Sequence, residues 1–496
     1  MIKIVFENYS YFRIDAEWDI MSAIKKRFRY FVEGAQFSNA YKQRRWDGFK
    51  SFVTQKNRMP LGSLESVYKF LKEKYPLKPI EFPNAYRNIK DEYDFLEDIE
   101  CYSKGEVIKP RDNQWEAVDK CIKNNRCVCV APTSFGKSLV IYLLCRYHIN
   151  YERKVLIVVP KKILVEQMIA DFIDYGYEGE INGIYSGQER VSSDITVITF
   201  QTLCKIPWLL EDYGCLILDE CHMCKANSLL SIIDSASNIR YKYGLTGSLK
   251  EGSIEHTFAS TYIGYPHYIT DTKTLIEEKV VARLKVEIYK YAYPESERIS
   301  HSFDYNEEKE FLRGCEHRYK AILEEAGELN KTGMIAVVEI EQAQKLYEMA
   351  RGMYPDRNIY QIRGNHIERN EEMFKSFEEI KPDIEKEKNA LLIVGLKVFS
   401  TGVSVKNIHF GIMAVSTKSY TSVIQTIGRG LRVNKQKKDF LFIDWYDDFR
   451  LDGGSFTYMY GHLMDRLKIY EEQGFDVEYK SVGESNVLTN LHNLAD

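Results

Sequence analysis

The octapeptide Ala131-Pro132-Thr133-Ser134-Phe135-Gly136-Lys137-Ser138 limits what this chain can fold into more than any other stretch. It stands between the apolar run Cys127-Val128-Cys129-Val130 and the helix-like run Leu139–Tyr147. A strand, a tight loop and a helix in that order turn the loop's backbone amides and the helix N-terminus toward an anion. Ala131 replaces the first glycine of the strict pattern, but the chemistry does not depend on it. The amides of Thr133, Ser134 and Gly136 can cradle phosphates, Lys137 supplies a point charge, and Ser138 can ligate magnesium.

From residue 107 onward, apolar runs of strand length alternate with helix-length segments, which predicts parallel sheets flanked by helices. The first set of strands is expected at Arg126–Pro132, Lys154–Pro160, Asp194–Thr199, Cys215–Asp219 and Tyr241–Thr246. The second is expected at Gly333–Val338, Asn358–Ile362, Ala390–Val394, Ile408–Ala414 and Phe440–Ile443. A chain of 496 residues has room for several such cores.

Asp219-Glu220-Cys221-His222 ends the apolar strand Cys215-Leu216-Ile217-Leu218, and the C-terminal edge of a strand is where doubly wound sheets place their chemistry. There Asp219 can hold magnesium while Glu220 orients and deprotonates an attacking water, which is most of what phosphoryl transfer asks of a protein. In Gln425-Thr426-Ile427-Gly428-Arg429-Gly430-Leu431-Arg432, the two arginines are three apart. The spacing predicts that both lie on one helix face and reach a γ-phosphate held by the first set of strands.

Charge is unevenly spread. The net charge is −4, yet residues 21–90 hold sixteen Lys or Arg against five Asp or Glu. Lys25-Lys26-Arg27-Phe28-Arg29-Tyr30 and Tyr41-Lys42-Gln43-Arg44-Arg45-Trp46 alternate cations with aromatics, a mixture suited to phosphates and bases. The other reading is a solvated charged helix whose Phe28 and Trp46 belong to a core. Six unpaired acidic residues in Asp91–Glu100 then mark a boundary. The expected organisation is a small basic α+β domain over 1–95, α/β domains over 96–275 and 276–450, and a helical tail over 451–496.

These motifs, in this order over roughly 107–450, resemble the superfamily two helicases of the DExH type. The resemblance implies two recA-like domains in tandem and an ATPase stimulated by nucleic acid, with ATP and Mg2+ as cofactors. It implies adenine reading by Gln114, contacts to a nucleic-acid backbone by Pro160, Lys161, Thr199 and Gln201, and coupling of the two sites by Thr246 and Ser248, although Gly247-Ser248 stands where relatives often have Ala-Thr-Pro. In the second domain it implies backbone contacts by Arg363, Gly364 and Thr401, an ATP contact by Gly402, coupling by Gln425, and a cross-cleft role for His222. Arg45-Trp46-Asp47-Gly48 and Met59-Pro60-Leu61-Gly62 narrow the resemblance to phage recombination helicases. That implies DNA as partner, with the branched forms of forks, Holliday junctions and R-loops, and possible RNA–DNA hybrids. Arg44, Arg45 and Trp46 are then DNA contacts.

The same motor leaves open a double-strand DNA translocase, an RNA helicase or the motor of a restriction system. In another class stands an ATP-independent annealing protein; intact Lys137, Glu220 and Arg429 speak against it. The apolar runs are too short to span a bilayer and charges break up the N-terminal stretch, so no membrane partner and a cytoplasmic location are expected. Ten cysteines read as buried free thiols. Cys221-His-Met-Cys224 has the spacing of a zinc half-site without a second half, so no structural metal is expected.

Overall fold

The computed structural model describes residues 1–32, 34–82, 92–185, 191–223, 226–298, 304–363, 366–396, 405–415, 417–434, 437–449 and 457–483. The chain divides into two compact units. The first comprises Met1–Ala131 with Gly136–Thr270, the second Pro132–Phe135 with Asp271–Asp496.

The first unit opens with a small sheet of strands β1 (Ile2–Phe6), β2 (Tyr11–Asp15), β3 (Arg58–Pro60) and β4 (Ile80–Glu81), ordered β3-β2-β1-β4. Alternation decides which side is covered: Ile2, Ile4, Phe12 and Ile14 face helices α1 (Trp18–Arg27) and α2 (Leu64–Lys74), whose Ile20, Ile24, Val67 and Leu71 complete a buried core. Lys25, Lys26 and Arg27 fall in the last turn of α1, where cations complement the carbonyl end of the helix dipole, and all three are exposed. This element is welded to the sheet that follows. Tyr9 N–H donates to the Ser237 carbonyl at 3.0 Å, and the fully buried ammonium of Lys242 donates to Tyr9 O at 2.7 Å. Tyr30 and Phe52 pack against Phe258 with ring centroids 4.8 and 5.5 Å away.

That sheet is parallel throughout. Its strands are β5 (Arg126–Val130), β6 (Val155–Val159), β7 (Ile181–Ile184), β8 (Ile195–Thr199), β9 (Cys215–Asp219), β10 (Tyr241–Thr246) and β11 (Pro266–Tyr268), in the order β7-β8-β6-β9-β10-β5-β11. Helices α3 (Asp112–Asn124), α4 (Lys137–Asn150), α5 (Lys162–Asp174) and α6 (Ile254–Tyr262) connect or flank the strands. Every residue of β5, β6, β8, β9 and β10 is buried, as the continuous Val/Ile/Leu runs of a two-sided parallel sheet require. Each large aliphatic side chain so buried stabilises the fold by roughly 1.5–3 kcal/mol relative to exposure.

The second unit is built on nine strands: β12 (Arg283–Ala292), β13 (Gly333–Val337), β14 (Ile359–Arg363), β15 (His366–Arg369), β16 (Glu372–Phe374), β17 (Leu391–Gly395), β18 (Phe410–Met413), β19 (Asp439–Asp448) and β20 (Val477–Gly483). Their order is β16-β15-β14-β17-β13-β18-β19-β12-β20, parallel except for the antiparallel edge pair β15 and β16. Helices α7 (Tyr420–Gly430) and α8 (Tyr458–Glu472) complete the parts used below.

The fold is thus the expected one, two parallel-sheet α/β domains preceded by a small α+β element. All ten expected strands are present, most trimmed or shifted by a residue or two where loop residues such as Pro132 and Pro160 lack ladder partners. Strand β19 runs on to Asp448, because β12 pairs with it over ten residues. The expectation that Arg429 and Arg432 share a helix face is corrected. Helix α7 stops at Gly430, whose missing Cβ would lie 2.0 Å from the Phe440 ring, and the Lys437 ammonium donates to the Gly430 carbonyl. A glycine with a side chain capping its carbonyl ends the helix, so Arg432 lies in the turn beyond it.

Candidate functional site

Strand β5 delivers its backbone to the phosphate loop, and register holds the loop's base: Ala131 N–H donates to the Thr246 carbonyl at 3.0 Å. Gly136 caps α4 in the left-handed region, φ 86°, and Ser134 also takes a positive φ, 70°. A side chain on Gly136 is excluded twice, by that φ and by the Gln114 amide, 2.5 Å from where its Cβ would sit. Gln114 is buried, accepting from Arg111 N–H at 2.9 Å and donating to Gly136 O at 3.4 Å, so its amide rests on the loop. The tip of the loop, Pro132–Phe135, groups with the second unit. There Ser134 Oγ donates to the Gly428 carbonyl at 3.2 Å, and a Cβ on Gly428 would lie 2.5 Å from Thr133 Cβ.

The carboxylates sit at the end of β9. Asp219 is buried and accepts from Glu220 N–H at 3.0 Å; Glu220 has φ 46°, a left-handed conformation that costs a non-glycine residue free energy and recurs at functional positions. Lys137 Nζ lies 3.8 Å from Glu220 Oε1 and 3.5 Å from Ala131 O. Glu220 Oε2 accepts from Gly247 N–H at 3.4 Å and lies 3.4 Å from His222 Nδ1, which in turn is 2.7 Å from Thr246 Oγ1. Thr246 Oγ1 accepts from Ser248 N–H at 3.3 Å. One continuous set of contacts therefore runs from the phosphate-loop lysine through the DECH residues to Thr246 and Ser248. Ser248 Oγ is buried without a hydrogen-bond partner.

Burial, with Glu220 next in importance, pushes the Asp219 carboxyl up to about 7, against the pull of Lys137. Two adjacent carboxyl groups beside a serine hydroxyl are the oxygen-donor chemistry a divalent cation satisfies. Asp219 and Ser138 are the oxygens that would hold magnesium. Burial also holds His222 below its usual value despite Glu220, so neutral imidazole meets Thr246 at pH 7.

Two residues, one in each unit, escaped the sequence reading. The Tyr175 hydroxyl is 2.7 Å from Ser138 Oγ, and burial raises its pKa. Lys437 is buried beside Arg432, and burial lowers it to about 7. Neither has a motif to give it away; each is brought in by a turn after a helix.

The remaining expected residues fall in both units, and in the first Pro160 and Lys161 follow β6 beside Thr199 at the end of β8, where Val159 pairs with Thr199. Thr199 is buried, its hydroxyl capping the next short helix by accepting from Thr202 N–H at 3.4 Å, while Gln201 is exposed. Pro160 is buried and Lys161 half-buried. Arg363 donates to Gln344 Oε1 at 3.0 Å. Gln425 is buried and Arg429 and Arg432 half-buried. Arg44 and Arg45 are exposed, whereas Trp46 is half-buried with its indole N–H donating to Phe49 O at 2.7 Å, so Trp46 braces its own loop. Gly364, Thr401, Gly402 and Cys224 lie outside the described residues. All nine described cysteines are free, and eight are buried.

Residues 107–251 match the family described as type III restriction enzyme, res subunit, and residues 1–77 match the family described as DNA helicase UvsW, N-terminal. The chain is 28% identical to the ATP-dependent DNA helicase uvsW of Enterobacteria phage T4, over 97% of its own length and 99% of that protein. It is 22% identical to the probable helicase D10 of Escherichia phage T5, over 89% and 90%. The crystal structure of T4 UvsW matches with a TM-score of 0.50 and 26% identity, covering 97% of this chain and 99% of that one. A phosphate loop and a DECH strand end on one parallel sheet, followed by a second such sheet, define a helicase motor. The chain resembles the superfamily two helicases of the DExH type, and T4 UvsW closely.

Proposed function

We propose that this protein is an ATP-driven DNA helicase that unwinds or branch-migrates branched DNA, including forks, Holliday junctions and R-loops, in recombination, repair and replication restart. Its place of action is the cytoplasm of a phage-infected bacterium. The observation that carries the reading is the chain of contacts Lys137–Glu220–His222–Thr246–Ser248, which joins a phosphate-binding lysine to the end of the adjacent strand.

In this reading Gln114 reads adenine, and the amides of Thr133, Ser134 and Gly136 with Lys137 bind the phosphates. Magnesium held by Ser138 and Asp219 supplies charge that neutralises phosphate oxygens when bound. Glu220 takes a proton from the attacking water. Its backbone strain and its contacts to Gly247 and His222 keep the carboxylate aimed, and aim matters because phosphoryl transfer is governed by positioning and charge. Arg429 and Arg432 compensate charge on the γ-phosphate, and Gly402 and Gln425 complete the nucleotide side. A change in what Glu220 accepts alters the His222–Thr246 bond, which gives a route from hydrolysis to the strand-contacting loops.

The DNA grip is assigned to Pro160, Lys161, Thr199, Gln201, Arg363, Gly364 and Thr401, with Arg44 and Arg45 and the exposed end of α1 on adjoining duplex. Such phosphate contacts read no sequence and weaken steeply with salt. The match of residues 1–77 to the family described as DNA helicase UvsW, N-terminal, supports DNA as the partner. ATP turnover measured on single-stranded, duplex, forked and four-way DNA and on RNA tests this. The expected order places forked and four-way DNA first; equal turnover on all of them removes the branch-specific reading.

A further inference from the structure

Beneath the phosphate loop, outside the site just described, three thiols meet. Cys127 and Cys129 are two apart on β5 and so share one face of the sheet; Cys121 comes down onto them from α3. The Sγ separations are 3.5 Å for Cys121 and Cys129, 3.6 Å for Cys121 and Cys127, and 4.0 Å for Cys127 and Cys129. All three are buried. Tetrahedral zinc with Zn–S bonds of about 2.3 Å holds its sulfurs roughly 3.8 Å apart. The three thiols already form that triangle, and an ion bound to all three sits just off its plane.

The three sulfurs lie within 4.8 Å of one another, and the neighbouring strand offers a histidine for a fourth position. His267 of β11 is the register partner of Cys129 in a parallel pair, which puts the two side chains on the same face. Its Nε2 is buried and has no hydrogen-bond partner. A buried imidazole nitrogen left unsatisfied is costly, and coordination to a cation would satisfy it.

We propose that Cys121, Cys127, Cys129 and His267 form a structural zinc site that ties α3, β5 and β11 together at the root of the phosphate loop. Its sequence spacing matches no zinc ribbon or finger, so it was invisible to a search for paired half-sites; helix-to-strand packing alone assembles it. Cys129 is two residues from Ala131, where the loop begins. Binding would release the protons of the three thiols, because thiolates are the ligands. The role is structural, since four protein ligands leave no open position for a substrate.

The test uses the full-length protein purified without chelator, with zinc and then cobalt(II) as probes. One zinc per chain is expected after dialysis. Cobalt replacement should give the near-ultraviolet thiolate-to-metal band and the visible bands of a tetrahedral site, and X-ray absorption at the zinc edge should report three sulfurs and one nitrogen. Cys121→Ser and Cys129→Ser should abolish the cobalt spectrum, His267→Ala should alter its visible bands, and Cys204→Ser and Cys221→Ser should leave it intact. A wild-type protein that takes up neither metal overturns the proposal, as does a sulfur count other than three or a spectrum that survives Cys129→Ser. If the cysteine variants do not fold, the absorption-edge ligand count on the wild type still decides.

Discussion

In the second unit, Arg318 grips Asp447 with two bonds, Nε to Oδ1 at 2.7 Å and Nη2 to Oδ2 at 3.0 Å, and Arg466 grips Asp444 with two more, both at 2.8 Å. Tyr470 adds a third bond to Asp444 at 2.7 Å, and the Ala414 and Thr417 carbonyls each accept from one further guanidinium N–H, of Arg318 and Arg466 respectively. In the first unit the Lys137 ammonium lies 3.8 Å from Glu220 Oε1, and burial with the neighbouring Glu220 carboxylate pushes Asp219 up to about 7. Both units bury charge on a parallel sheet, but the second holds it in planar, bidentate pairs while the first gathers two adjacent carboxylates and a lysine at a strand end. A buried charge held by two parallel bonds acts as a clamp, and a buried carboxyl with a raised pKa at a strand end is a place for a ligand.

The contrast can be broken by experiment, most severely at the phosphate loop. Lys137→Ala and Glu220→Gln should each lower DNA-stimulated ATP turnover by a factor of about 10³ or more, since each removes charge or aim that phosphoryl transfer depends on. Their unfolding temperatures should stay near wild type or rise. Wild-type turnover in either variant would move the chemistry elsewhere. Arg466→Met should do the reverse, costing about 3–5 kcal/mol in denaturant unfolding because it strands the buried Asp444 carboxylate. Loss of activity without loss of stability there would turn the clamp into a second functional site.

Asp219 sharpens the comparison through pH. Its carboxyl is pushed up to about 7 in the fold from an ordinary value of 3.8, so the folded state holds a proton that the unfolded chain gives up. The contribution is therefore unfavourable at high pH: stability of the nucleotide-free protein falls as pH climbs from about 4 to about 7 and stays low above. Asp219→Asn should raise the unfolding temperature at pH 8 by a few degrees, with the gap closing toward pH 4. A gap that does not change with pH would assign the effect to packing. The smallest change is expected at Trp46→Phe. It loses one bracing bond to Phe49 O, worth about 1 kcal/mol, and should leave DNA affinity within a few-fold, whereas Arg44→Ala and Arg45→Ala should weaken affinity and flatten its salt dependence.

Much of this was legible in the chain itself. A parallel sheet needs continuous aliphatic strands, and a phosphate loop needs a strand before it and a helix after it, so the ten strands and the Lys137 and DECH positions follow from local pattern alone. Short edge strands such as β11 and β16 carry little pattern and were not foreseen. The stop of α7 at Gly430 was also missed, because the close approach of Phe440 is a tertiary fact.

Periodicity and residue chemistry act over a few neighbours, and over that range the sequence by itself determined the two sheets, the phosphate loop, the acidic strand end and the basic N-terminal segment. Only the tertiary structure decided that Tyr175 meets Ser138, that His222 links Glu220 to Thr246, that Arg318 and Arg466 are clamps, and that Cys121 of α3 packs onto the sheet face that carries Cys127 and Cys129. Those contacts join segments whose neighbourhood is set by sheet order and helix packing, and a side chain's partner across a sheet leaves no periodic trace along the chain.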